Sequence, residues 1–219
     1  MSNTVVAIDG PAATGKYTVA RSVAARRGCI YVDSGALYRT VAWEALRRGL
    51  DVRDRAALLA LLPELRMEFA VRDGAVAYTV DGRDPGLEIR QEPVNRAVTP
   101  VAATPEVRAL VTGWLRELAR FGDLVVEGRD IGTVVFPQAR WKFYLDAAPD
   151  VRAQRRHAEQ AARQEASNVR QVGESLQYRD RIDSSRSAAP LRVAEGAEVI
   201  DSSAMDIDQV TQFVLDRLN

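Results

Sequence analysis

Apolar and polar positions follow two rhythms along this chain. Residues 4–8 form a short, mostly β-branched run that ends in Asp9-Gly10, the pattern of a buried strand. Val19, Ala20, Val23 and Ala24 then recur at helical spacing until Gly28 supplies a stop. A second apolar run, 29–32, closes on Asp33, and a second helical stripe passes through Leu37, Val41, Ala45 and Leu46 to Gly49. Strand alternating with helix predicts a parallel sheet covered by helices. The rhythm breaks at residue 65. Residues 65–71 and 75–80 flank Arg72-Asp73-Gly74, a hairpin signal. Residues 81–105 show no long periodic stretch and are interrupted by Pro85, Pro93 and Pro100. Residues 65–100 therefore read as an insertion of short strands and loops. Thr104-Pro105-Glu106 opens a helix, with Thr104 as N-cap, that runs to about Phe121 and stops at Gly122. The alternation then resumes. Residues 124–126, 141–145 and 198–200 read as strands, and 149 to about 164 as a polar helix. Residues 168–190 are helical at first, then irregular and arginine-rich. Asp206 caps a final amphipathic helix through Val210, Phe213, Val214 and Leu218. With no repeat or long linker, 1–219 reads as a single domain.

Between the first strand and first helix lies Gly10-Pro11-Ala12-Ala13-Thr14-Gly15-Lys16-Tyr17-Thr18. Small residues let the backbone curl around an anion and aim N–H groups at it, and the helix N-terminus adds partial positive charge. A lysine at this spacing reaches the outer phosphates of a nucleoside triphosphate. The alternative is an ordinary strand-to-helix turn, which does not call for both glycines and the lysine. One residue departs from the pattern: Tyr17 stands where Ser or Thr ordinarily helps hold magnesium.

Composition narrows the choice further. The 219 residues carry 30 basic and 30 acidic side chains, a formal charge of zero. That balance gives no electrostatic footprint for nucleic acid. No apolar run approaches the roughly 20 residues of a membrane helix. The N-terminus enters a strand without the features of a signal peptide. Cys29 is the single cysteine, which excludes an internal disulfide and fits a reducing cytoplasm. No exposed apolar stripe is left over, so a monomer is expected. Lys16 and Lys142 are the only lysines, so an arginine here carries little meaning by its type alone. His157, the sole histidine, sits on a polar face and reads as a surface residue.

Three further motifs carry more information: Asp33-Ser34-Gly35-Ala36-Leu37-Tyr38-Arg39, Glu127-Gly128-Arg129-Asp130-Ile131-Gly132-Thr133-Val134-Val135-Phe136-Pro137, and Tyr178-Arg179-Asp180-Arg181-Ile182-Asp183-Ser184-Ser185-Arg186 with Ala189-Pro190-Leu191 after it. Together, in this order and over nearly the whole chain, they resemble the bacterial cytidylate kinases. The resemblance implies an α/β fold of P-loop NTPase type: a parallel five-stranded core of about 1–64 and 101–219, an inserted nucleotide-monophosphate-binding segment of about 65–100, and a lid of about 152–190. It implies transfer of the terminal phosphate of ATP to CMP or dCMP, with Mg2+.

The resemblance also assigns residues. Gly10 to Thr18 would bind ATP. Arg39, Arg129 and Arg186 would grip the acceptor phosphate, with Ser34 donating a hydroxyl; a planar guanidinium suits a doubly charged monophosphate. Asp130, Thr99 and Arg108 would read cytosine, the carboxylate accepting from the base's amino group. Thr99 stands where serine is common. Arg179 and Asp183 would contact the sugar. Lys16 with Arg155, Arg156 and Arg181 would stabilise charge on the transferring phosphoryl group. Magnesium would be held largely through waters, with Thr18, Asp33 and Glu127 as candidates and Asp9 as a helper; aspartate is usual in the family at position 127. Two alternatives stay open: a kinase for another small acceptor such as UMP, and a nucleotide-binding protein whose transfer activity Tyr17 has reduced.

Overall fold

The computed structural model describes residues 3–162 and 166–218. The C-terminal end expected for the polar helix, near Gln164, lies outside them. Five strands run parallel in one sheet: β1 (Val5–Asp9), β2 (Ile30–Asp33), β5 (Leu124–Gly128), β6 (Trp141–Asp146) and β7 (Glu198–Asp201). A hairpin of β3 (Met67–Arg72) and β4 (Ala75–Val80) extends the edge beyond β2, giving the order β3-β4-β2-β5-β1-β6-β7. The five parallel strands are the core expected, and the hairpin widens the sheet to seven. β4 joins it through the parallel pairing of Tyr31 with Ala75. Asp73 and Gly74 turn the hairpin with φ of 50° and 70°, the positive values a two-residue type I′ turn needs.

Both faces of the sheet are buried. Along β1, Val5 and Ala7 point into one core and Val6 and Ile8 into the other. The first core is covered by α2 (Ser34–Arg47), α4 (Glu92–Ala103) and α5 (Pro105–Glu117), the second by α1 (Lys16–Arg27) and α8 (Ile207–Arg217). Two helices, α6 (Pro149–Ala162) and α7 (Val169–Ser185), pack on each other outside this sandwich. Asp206 caps α8 through a full capping box with Gln209, as expected.

Two helices depart from the sequence reading. The short α3 (Arg55–Leu61), capped by Asp54, is one the apolar spacing does not single out. The larger correction is α4, in a region read as strands and loops. Its buried residues Val94, Ala97, Val98 and Val101 follow strict helical spacing, but Pro93 and Pro100 obscure it. Pro93 sits in the first turn, where no intrahelical N–H is needed, and only Pro100 removes a bond. Thr99 is therefore a helical residue. Thr104 does begin α5, yet its hydroxyl donates back to the Pro100 carbonyl (3.2 Å) rather than capping forward.

Candidate active site

Strands β1, β2 and β5 all deliver their carboxyl ends to one rim of the sheet, where ligands bind in open α/β folds. The loop after β1 is shaped by its small residues. A Cβ at Gly10 would fall 2.0 Å from the Leu145 carbonyl oxygen, and Ala13 and Gly15 take φ of 62° and 92°. Lys16 opens α1, buried. Its Nζ donates to the Pro11 carbonyl at 2.6 Å and lies 3.4 Å from Thr14 Oγ1. The loop is buttressed from outside: Ser202 Oγ lies 3.2 Å from the Thr14 carbonyl oxygen, and Arg152 Nη1 donates to the Ala12 carbonyl (3.4 Å).

At the end of β2, Asp33 caps α2, its Oδ1 accepting from Ala36 N at 2.9 Å, while Oδ2 accepts from Arg90 at 2.7 Å. The cap fixes the helix that presents Ser34, buried, and Arg39, whose Nε donates to Asn95 Oδ1 at 3.5 Å. In the adjacent strand Glu127 is the register partner of Asp33. Burial and the Asp33 charge push the Glu127 carboxyl up, while burial and Arg129 push the Lys16 ammonium down.

Beyond β5 the chain makes a short π-helical turn, Ile131–Val135, that sequence spacing does not reveal. Asp9 holds its start: the two carboxylate oxygens accept from Ile131 N (2.9 Å) and Gly132 N (2.8 Å). This aims Asp130 at a buried ion pair with Arg108, with Arg186 Nη2 3.8 Å from its other oxygen. Arg108 also donates to the Ala102 carbonyl of α4 (3.0 Å), and its guanidinium lies 5.1 Å from the Tyr38 ring centroid. Around this carboxylate the Tyr38 hydroxyl, Arg108 Nε and Arg186 Nη2 are buried without a hydrogen-bond partner.

Helix α7 brings Asp183 into the same rim. It accepts from Arg129 Nε (3.1 Å) and lies 3.5 Å from Arg186. Burial acts to raise this carboxyl, but Arg129, Arg179 and Arg186 together hold it below the ordinary range. Burial and the positive charges of Arg129 and Arg39 lower Arg179 to about 9. Lys16, Arg39 and Arg179 all lose basicity through burial and neighbouring cations. Such a crowd of positive charge is relieved by a polyanion.

The lid candidates separate. Arg155 donates to Ser202 Oγ (3.1 Å) and to the Ser202 carbonyl (2.7 Å), so here it ties α6 to the loop before α8. Arg156 pairs with Glu159 at 2.8 Å and adds to the field on Arg179. Arg181 is exposed on α7. Thr99 is half-buried on α4, and Thr18 is exposed. Sequence reasoning missed Arg152, buried, which pairs with Asp180 while reaching the phosphate loop. It also missed Arg90, Asn95 and Tyr38. Of these, Tyr38 adjoins Arg39 in a motif already in view; the others have no local signal. His157 is half-buried, with Nδ1 2.7 Å from Ser167 Oγ.

A phosphate loop after the first strand, faced across one rim by a cluster of arginines, defines an ATP-dependent phosphotransferase of the P-loop kinase class. The same fold occurs in shikimate kinase from Bacteroides thetaiotaomicron (TM-score 0.50, 15% identity, 98% of both chains covered) and in a gluconokinase from Sinorhizobium meliloti (TM-score 0.51, 12% identity, 99% of this chain and 93% of that one). The chain belongs to the cytidylate kinase family, whose model matches residues 6–219. Cytidylate kinases from Pelotomaculum thermopropionicum and Shouchella clausii are 42% and 43% identical to it, over 98% and 96% of this chain and 95% and 94% of theirs.

Proposed function

We propose that this chain transfers the terminal phosphate of ATP to CMP and dCMP, and that Asp130 decides the base. The loop from Gly10 to Thr18 holds the donor phosphates, with Lys16 at the outermost. Ser34, Arg39, Arg129 and Arg186 hold the acceptor phosphate. Arg179 and Asp183 meet the sugar, while Arg108 and Thr99 complete the contacts to the base. The inserted segment of about 65–100 carries one wall of the acceptor site, and 152–190 forms the lid over a core of about 1–64 and 101–219. Transfer is in line and involves no covalent enzyme intermediate: fixed cations hold two polyanions together and match the charge that develops between them. Lys16 and the basic lid residues Arg155, Arg156 and Arg181 are the candidates to follow that charge. The reading takes the enzyme to be cytoplasmic and monomeric, acting on ATP and CMP or dCMP alone.

The observation that carries this reading is the buried Asp130 carboxylate, set among Arg108, Arg186 and Tyr38 beside the arginine cluster. Cytosine offers an amino donor to that carboxylate, where uracil would offer a carbonyl. A mispaired buried polar group costs about 1–3 kcal/mol, roughly five- to 150-fold in kcat/KM. Turnover of CMP, dCMP, UMP and AMP tests this. CMP and dCMP should lead by at least that margin, and Asp130→Ala should narrow the gap to UMP. Faster turnover of UMP than CMP would overturn the cytosine assignment. ATP binding without CMP-dependent ADP release would overturn the kinase reading.

Magnesium, when bound, supplies charge neutralisation between the donor phosphates. Among the described residues no three His, Cys, Asp or Glu side chains form a metal cage. The neighbouring carboxylates Asp33 and Glu127, pressed together at the ends of β2 and β5, fit an ion that keeps most of its waters. In this reading they hold it, with Thr18 the weaker candidate.

A further inference from the structure

Beyond the backbone that Tyr17 lends to the donor loop, its side chain, in the place usual for a small hydroxyl residue, has no part in the chemistry above, yet it is engaged on three sides. It stands edge-on to Tyr31, with centroids 5.7 Å apart and planes at 86°. Its hydroxyl accepts from Arg21 Nη1 at 3.0 Å. The guanidinium of Arg90, from the inserted segment, lies 5.4 Å from its ring centroid. From there Arg90 reaches the acceptor side by two routes. Its side chain donates to Asp33, the residue that caps α2. Its backbone carbonyl accepts from Asn95 Nδ2 at 2.8 Å, and Asn95 Oδ1 in turn accepts from Arg39. One arginine thus joins the first turn of α1, beside the donor loop, to the helix carrying Ser34 and Arg39.

We propose that Tyr17 is a positioning residue for the acceptor nucleotide: its ring holds Arg90, and through it the inserted segment, Asp33 and Arg39, in the geometry that receives CMP. The proposal rests on the acceptor-phosphate roles given above to Ser34 and Arg39. The Arg90–Asp33 pair is about a third exposed on the arginine side, and such pairs hold geometry weakly by themselves. A flat aromatic face against the guanidinium adds attraction and removes alternative rotamers. A serine at this position can do neither.

The test is CMP affinity by calorimetry on the full chain, without ATP or magnesium, so that a new hydroxyl at position 17 has no metal to bind. Tyr17→Ser should weaken CMP by about two- to fivefold, the range of a cation–π contact at a partly exposed site. Tyr17→Phe, which keeps the ring, should retain most of the affinity. In an Arg90→Met background, Tyr17→Ser should add little further loss, because the two residues act as one unit. Equal effects of Ser and Phe, additive losses in the double variant, or unchanged affinity in Tyr17→Ser would each overturn the proposal. Arg129→Ala separates this from the underlying reading. If it weakens CMP while Tyr17→Ser does not, only the role of Tyr17 falls; if it too leaves CMP untouched, the acceptor-site assignment itself fails.

Discussion

A methyl group added at Gly128 would stand 2.6 Å from Ser34 Oγ and 2.7 Å from Ile131 Cγ1. No strained dihedral is involved; the reason for glycine is space, because β5 brings its backbone against the serine proposed to meet the acceptor phosphate. Gly128→Ala should destabilise the fold by about 1–3 kcal/mol, the usual cost of overpacking. It should also raise KM for CMP more than for ATP, since Ser34 is what must move. Removing the hydroxyl as well, in Gly128→Ala/Ser34→Ala, should restore part of the stability in urea titration. No recovery would mean that Ile131 alone sets the constraint. Residues of this kind are legible in sequence because they sit in contiguous motifs. Arg90 and Arg152 are not, for a physical reason. In a chain with 28 arginines the residue type carries no signal, and their partners, Asp33 and the Ala12 carbonyl, lie 57 and 140 positions away. Only the folded chain brings those pairs together.

At the scale of elements, strands and amphipathic helices were readable wherever one periodicity ran undisturbed, as in β1, α1, the β3–β4 hairpin and α8. The misses are elements that break a local rule and are held by something distant. Helix α4 tolerates Pro100 because its apolar stripe is buried against α2 and α5. The π-helical turn after Asp130 exists because Asp9, more than 120 residues earlier, accepts from its first two free N–H groups. That turn fixes where Asp130 points, so Asp9 is a structural anchor of the proposed base site. This structural role stands beside the helper role toward magnesium considered from sequence. Asp9→Ala should cost at least about 2 kcal/mol, because two buried N–H groups lose a carboxylate acceptor together. It should also blunt the preference for CMP over UMP. Unfolding in urea measures the first effect and the substrate panel the second. A fully retained preference would mean that the turn holds its shape without the anchor.

For the whole molecule, the zero formal charge conceals a strong internal separation. Lys16, Arg39, Arg129, Arg179 and Arg186 meet at one rim, and Asp183 is the carboxylate there that hydrogen-bonds Arg129 and lies 3.5 Å from Arg186. Its pH dependence follows from the direction of its shift. Burial works against ionisation, but the three guanidiniums prevail and hold the folded carboxyl below its unfolded value of about 4. The unfolded chain therefore binds this proton more readily than the folded one. Stability from Asp183 is fully present above about pH 4 and is lost as pH falls through the lower folded value. Asp183→Asn removes that contribution at every pH and takes from Arg129 the carboxylate it hydrogen-bonds. Urea midpoints of the two proteins should differ most at neutral pH and converge as acid neutralises the wild-type carboxyl. A gap that persists unchanged at the lowest pH would show that packing, and not charge, is what Asp183 contributes. An anion binding at the rim, such as CMP or inorganic phosphate, should narrow the neutral-pH gap by taking over as partner to the arginines.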